Sequence, residues 1–230
     1  MIGILGGMGT QAGLDFCNKL AKLYRGKLDQ DYPMFVLYNK SNTPRRPENL
    51  NKYNKVLMQL VAGCKMLEKN KCKFIVMPCN TAHYWHKDIQ KKIKIPLLSM
   101  PKEVFLYTQK ISKKNSRIGI LCTEATLKTK IYNNYFDKKF ELISPNKKLQ
   151  KNSVNKSIKY VKMGKVKEAE KILRPAVNYL IKQNCKKIIL GCTELPIAIF
   201  AYKSFQKAKE SKLFIDPNLL LAQICKSKYR

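Results

Sequence analysis

The chain repeats itself, and among its 230 residues nothing constrains the architecture more. Ile2-Gly3-Ile4-Leu5 returns 116 residues later as Ile118-Gly119-Ile120-Leu121, each copy followed by a polar or glycine-rich turn. Cys72-Lys73-Phe74-Ile75-Val76-Met77-Pro78-Cys79-Asn80-Thr81 returns 113 residues on as Cys185-Lys186-Lys187-Ile188-Ile189-Leu190-Gly191-Cys192-Thr193-Glu194. Two repeats at nearly equal offsets imply two halves of similar plan. Around them, short apolar runs alternate with segments of helical period, the pattern of an α/β protein with parallel sheets. Strands are expected at 2–5, 35–37, 74–77, 97–99, 117–121, 140–143, 187–190 and 213–215. Helices are expected at 50–70, 82–92, 127–136, 166–183 and 217–225, the first with Leu57, Leu60, Val61, Cys64 and Leu67 on one stripe.

The second repeat carries the chemistry. Each half places one cysteine, Cys79 or Cys192, just past the carboxyl end of a buried strand, where open parallel sheets put their ligands. Each cysteine precedes a helix start, Asn80-Thr81 or Thr193-Glu194, whose free N–H groups and dipole favour a thiolate and can hold a carboxylate. A single cysteine at such a place is as readily a small packing residue. Matched placement in both halves is what points to function. Cys17, Cys64, Cys72, Cys185 and Cys225 fall in helices, on apolar stripes or where strands begin, and read as packing; so does Cys122, beside the turn Thr123-Glu124-Ala125-Thr126. No C-x-x-C pair suggests zinc or redox chemistry, and no metal site is expected.

Gly7-Met8-Gly9-Thr10-Gln11-Ala12 fits G-x-G-x-x-A directly after a strand, with Asp29 and Asp31 near the distance of a ribose-binding acid. A nicotinamide dehydrogenase is therefore a competing reading. The motif's physical content is only that backbone approaches an anion at a helix start, and a carboxylate satisfies it as well as a pyrophosphate. His83 and His86 follow Cys79 within two turns; His83 reads as support for the thiol and His86 as surface.

Composition sets the remaining bounds. Hydrophobic residues at 45% supply an ordinary core, and eight cysteines in a chain of this length read as reduced thiols of a cytoplasmic protein. No signal peptide is expected, and no apolar run reaches the roughly 18 residues that cross a bilayer. The formal net charge of +31 points toward nucleic acid, an anionic surface or an acidic ligand. Only six of the 46 basic residues are Arg, and the lysines are spread over most helical segments, which speaks for a solvated surface. An anion- or nucleic-acid-binding protein without catalysis remains the alternative of a different class.

Gly6-Gly7-Met8-Gly9, Pro78-Cys79-Asn80-Thr81-Ala82-His83 and Gly191-Cys192-Thr193-Glu194-Leu195-Pro196 together resemble the motifs of the aspartate/glutamate racemase family, on its aspartate racemase branch, across nearly the whole chain. The glutamate racemase branch differs, with Asp-Ser-Gly in place of Gly6-Gly7-Met8 and a His in place of Glu194. The resemblance implies an α/β fold of two pseudo-twofold-related lobes, each a parallel sheet flanked by helices, with the active-site cleft between them. It implies a first lobe of residues 1–98 plus 206–230, with Phe214-Ile215-Asp216-Pro217 as a returning strand and helix start, and a second lobe of residues 99–205. It further implies a homodimer, no cofactor, and racemisation of an acidic amino acid, aspartate before glutamate.

By position, Cys79 and Cys192 become the proton-transfer pair. Asn80, Thr81 and Thr193 would hold the α-carboxylate and α-amino group, with Met8 and Thr123 lining the cleft and His83 and Glu194 behind the thiols. For the side-chain carboxylate the family uses the Arg of a Pro-Asp-Arg turn and a Lys two residues before a glycine, which correspond to Arg46 and Lys162; the Asp of that turn is Arg45 here. Racemisation needs one ionised and one protonated group on opposite faces of Cα, and two thiols meet that need. Maleate isomerases, two-lobed relatives that use similar cysteines differently, remain an alternative.

Overall fold

A computed structural model describes residues 1–24, 26–200 and 212–229. The chain divides into two compact units, residues 1–100 with 218–230, and residues 101–217. Each is a parallel sheet flanked by helices.

The first unit has three strands, β1 (Ile2–Gly6), β2 (Phe35–Asn39) and β3 (Phe74–Val76), in the order β2-β1-β3. All ladders are parallel, with Ile2 opposite both Phe35 and Phe74. Because the central strand is covered on both faces, β1 reads as a continuous apolar run rather than an alternating one. One face packs Ile2, Ile4, Phe74 and Val76 against Phe16 and Leu20 of helix Thr10–Tyr24 and Leu221, Ala222 and Cys225 of helix Pro217–Tyr229. The other packs Leu5, Ile75 and Met77 against Val56, Leu60, Cys64 and Leu67 of helix Tyr53–Lys69 and against Trp85.

The second unit has β4 (Arg117–Cys122), β5 (Glu141–Ile143), β6 (Lys187–Gly191) and β7 (Phe214–Ile215), parallel, in the order β5-β4-β6-β7. Leu121, Ile188 and Leu190 pack against Leu173, Val177 and Leu180 of helix Val166–Lys182 and against Leu195 and Ile199 of helix Leu195–Phe200. The repeat in the sequence is thus a repeat in topology. β1, β4 and β6 have a neighbour on each side, and the cysteine-bearing β3 and β6 lie next to β1 and β4.

Two strand expectations come out differently. Leu97–Ser99 forms a single bridge, Leu97 to Ile75, instead of a strand. Pro96 has no N–H to give a ladder and a helix begins at Met100, so too little chain is left between them. Phe214–Ile215, expected in the first lobe, pairs with β6 in the second sheet, where Phe214 joins the apolar core. Return to the first unit comes one step later: Asn218 Nδ2 donates to Ala12 O at 3.2 Å and to Asp15 Oδ2 at 3.1 Å. The expected boundary at 205/206 lies outside the described residues.

Candidate active site

In the first unit, Cys79 follows β3 across Met77-Pro78, and its N–H donates to Met77 O at 2.7 Å, a tight turn that halts the strand. Cys79, Asn80 and Thr81 are all buried, and Thr81–Trp85 continues as a 3₁₀ helix before helix His86–Gln90. His83 holds the turn in place. The Met100 N–H donates to His83 Nε2 at 3.1 Å, so that nitrogen carries no proton and Nδ1–H donates to Cys79 O at 2.9 Å. Leu98 O, 3.4 Å from Nε2, has no bond to that tautomer. Burial, with the neighbouring His86 ring, pushes the His83 pKa down to about 4. His83 is therefore neutral near pH 7, a staple on the cysteine's carbonyl.

The turn after β1 brings two more expected residues together. Gly7 has φ +85°, and a Cβ there would lie 2.3 Å from the carbonyl carbon of Lys40, so only glycine lets the two backbones approach. Met8 follows, buried, and Arg46 Nη2 donates to Met8 O at 2.6 Å. Arg46 Nη1 donates to Pro44 O at 3.0 Å and Thr43 O at 3.4 Å. Arg46 as a whole is 8% exposed, and its buried Nε–H has no hydrogen-bond partner.

In the second unit, Cys192 follows β6 and its carbonyl accepts the Leu195 N–H at 3.0 Å, opening helix Leu195–Phe200. The Cys192 thiol donates to Glu194 Oε2 at 3.0 Å. Glu194 Oε1 lies 3.4 Å from Nζ of Lys162, the last residue of helix Lys156–Lys162. The lysine side chain is 50% exposed, the carboxylate 5%. Burial and then the Glu194 carboxylate hold the Cys192 pKa well above its ordinary value, with Lys162 pulling the other way. The thiolate expected from the helix start is thus overridden at Cys192, because desolvation and a like charge outweigh the helix dipole. Buried Thr193 stands between thiol and carboxylate in the chain. Thr123, after β4, caps helix Glu124–Lys128, its Oγ1 accepting the Thr126 N–H at 3.2 Å.

The structure brings Met8 to Arg46, Cys79 to His83, and Cys192 to Glu194 and Lys162. Lys162 serves Glu194 here, a pairing across 32 residues that no local pattern announces. The remaining thiols sit as packing residues: burial pushes Cys17 and Cys185 up to about 11 and Cys64 and Cys225 to about 12. Among the described residues, no group of three His, Cys, Asp or Glu side chains could hold a metal ion. No helix among them is long and apolar enough to cross a membrane.

Residues 5–225 match the family model for Asp/Glu/hydantoin racemases, and the chain belongs to this family. It is an enzyme of the amino-acid racemase class. The chain is similar to aspartate racemase of Picrophilus torridus, with 30% identity and a TM-score of 0.82 over 100% of this chain and 94% of that one. It is 29% identical over 199 residues to the broad specificity amino-acid racemase RacX of Bacillus subtilis, covering 85% of this chain and 86% of RacX. An aspartate racemase homologue from Pyrococcus horikoshii shares the fold, with a TM-score of 0.79 and 24% identity over 99% and 98% of the two chains.

Proposed function

We propose that the chain interconverts the L and D forms of an acidic amino acid, aspartate before glutamate, by two-base proton transfer between Cys79 and Cys192 without an organic cofactor. The observation that carries this reading is the repeated turn: in each sheet one buried cysteine stands just past the strand that pairs with the one carrying the Ile-Gly-Ile-Leu repeat. One thiolate takes the Cα proton while the other thiol delivers its own to the opposite face, so each turnover exchanges which sulfur holds a proton. Asn80, Thr81 and Thr193 hold the α-carboxylate and α-amino group, and Met8 and Thr123 line the space around them. Charge that develops on the substrate is met by fixed N–H dipoles at the two turns.

Cys192, kept protonated by burial and Glu194, is the sulfur poised to deliver a proton. In the reverse direction Cys192, left as the thiolate, takes the Cα proton and Cys79 delivers its own, with Glu194 beside the Cys192 sulfur and Lys162 next to the carboxylate. Arg46 is the residue assigned to the substrate's side-chain carboxylate. A buried guanidinium whose hydrogen-bond partners are three neutral backbone carbonyls suits a side-chain carboxylate, which would supply the charge that they do not.

Chiral chromatography after incubation with free amino acids and dicarboxylates tests the assignment. Racemisation of aspartate or glutamate is expected from dialysed protein, with no gain from pyridoxal phosphate or nicotinamide nucleotide. Cys79→Ala and Cys192→Ala should each lower kcat in both directions by about 10³-fold or more. In heavy water, early product should carry deuterium at Cα while remaining substrate stays protonated, because the two faces use different sulfurs. Substantial racemisation by either single variant would sink the two-thiol mechanism, and conversion of maleate without racemisation would replace the reaction.

A further inference from the structure

The two cysteine turns differ at the second residue past the sulfur, where Thr81 of the first unit is answered by Glu194 in the second. Proton transfer between two thiols needs no such difference. A carboxylate is also a poor neighbour for a sulfur that must carry negative charge during part of every cycle. Glu194 is nevertheless built in: it is buried, its Oε2 accepts the Cys192 S–H at 3.0 Å, and its Oε1 lies 3.4 Å from Lys162 Nζ. The carboxylate thus bridges sulfur and ammonium, all three within the second unit.

Lys162 is set in place by the end of its own helix. Gly164, at φ +76°, stops helix Lys156–Lys162: the Lys165 N–H donates to Tyr160 O at 2.9 Å and the Gly164 N–H to Val161 O at 3.0 Å. A cation in that last turn also meets the negative end of the helix dipole. Among the described residues Lys162 is the one cation paired with Glu194. The other titratable group that faces the sulfur is the buried Tyr132 phenol. Burial first, then Cys122, Cys192 and Asp216, hold it well above its ordinary range, so it stays protonated and neutral. Charge around the Cys192 sulfur is therefore governed by Glu194 and Lys162.

We propose that Glu194 and Lys162 are positioning residues that set how tightly Cys192 holds its proton, Glu194 strengthening the hold and Lys162 weakening it. The proposal rests on the two-thiol reading of the site. When Cys192 acts as the acid, its S–H bond breaks, the proton passes to the electron pair on Cα, and the sulfur is left negative beside the Glu194 carboxylate. The Lys162 ammonium then offsets the two adjacent anions. When Cys192 acts as the base, the new S–H returns to the carboxylate as a hydrogen bond. Lys162 is thereby assigned to the enzyme's own carboxylate rather than to the substrate's.

Alkylation of Cys192 by iodoacetamide at about pH 8, in the full chain carrying Cys79→Ala and read by mass spectrometry of the Cys192 peptide, tests it without turnover. A tenfold change in proton affinity should alter the rate about threefold, because a thiolate that forms less readily is also the better nucleophile. Glu194→Gln keeps the shape and an acceptor for the S–H but not the charge, and should speed alkylation by about threefold or more. Lys162→Met should slow it by a similar factor, and Lys162→Arg should restore it. In the chain with both cysteines, the Cys192 limb of the kcat profile should move to lower pH in Glu194→Gln and to higher pH in Lys162→Met, with KM for aspartate changed by less than about twofold. Equal alkylation rates, or changes of one sign in both variants, overturn the proposal. So does a Lys162→Met variant whose KM rises while its alkylation rate stays put, which returns Lys162 to the substrate's carboxylate. Lys162 is half exposed, so its two variants decide the matter by themselves if Glu194→Gln does not fold. A chain that racemises no substrate still yields these rates, and the two readings therefore fail separately.

Discussion

Arg46 is a buried cation whose partners are all neutral, and that arrangement separates specificity from catalysis. Arg46→Leu should raise KM for aspartate and cut its kcat/KM by roughly 10² to 10³-fold, as expected for loss of a charge-assisted pair, while alanine or serine lose little. Kinetics on that panel check it; equal losses for every substrate would reduce Arg46 to a brace on the Met8 turn. His83 makes a different kind of prediction. Its folded pKa of about 4 lies below the ordinary 6.5, so the unfolded chain binds a proton that the folded protein refuses. The stability this residue contributes is complete above pH 6.5 and is lost as the pH drops from 6.5 to 4, the loss amounting to about 3 kcal/mol by the end of that window. Urea denaturation of the unmutated chain and of His83→Gln at several pH values should show the difference between them shrinking across that range.

The turn joining β1 to helix Thr10–Tyr24 depends on one backbone conformation. Gly7→Ala places a methyl group against the Lys40 backbone at positive φ and should cost about 2 kcal/mol or more, with a matching fall in Tm and loss of the Arg46–Met8 contact. Thermal denaturation measures the first and substrate selectivity the second. This turn, like β1, β4 and β6, was legible in the sequence, because glycines beside a buried apolar run leave little else for the chain to do. The strand expected at Leu97–Ser99 failed for want of length, and the short β7 lies in the other sheet because two residues carry no mark of the strand they will join. The same limit applies to side chains. Cys79, Cys192 and His83 are visible as neighbours in a motif, whereas the charge that keeps Cys192 a thiol comes from Glu194 and reaches Lys162 through tertiary packing alone. The helical run from Lys147 to Lys162 was missed altogether, its Lys, Asn and Ser residues offering no apolar stripe longer than a turn or two.

The formal charge of +31 belongs to the molecule rather than to any one site. Its field should concentrate anionic substrates, so kcat/KM for aspartate should fall several-fold between about 20 mM and about 300 mM salt, while a neutral zwitterion such as alanine responds little. Initial rates at the two salt concentrations decide it. Chain order matters at this scale too. Residues 101–217 form one unit without interruption, but the other unit takes its sheet from residues 1–100 and the cover for Ile2, Ile4, Phe16 and Leu20 from helix Pro217–Tyr229. During synthesis residues 1–100 must therefore wait with an apolar face open until residues 217–229 leave the ribosome. The middle of the chain is free to fold before its beginning does, and the nascent first hundred residues are where a chaperone has the most to hold.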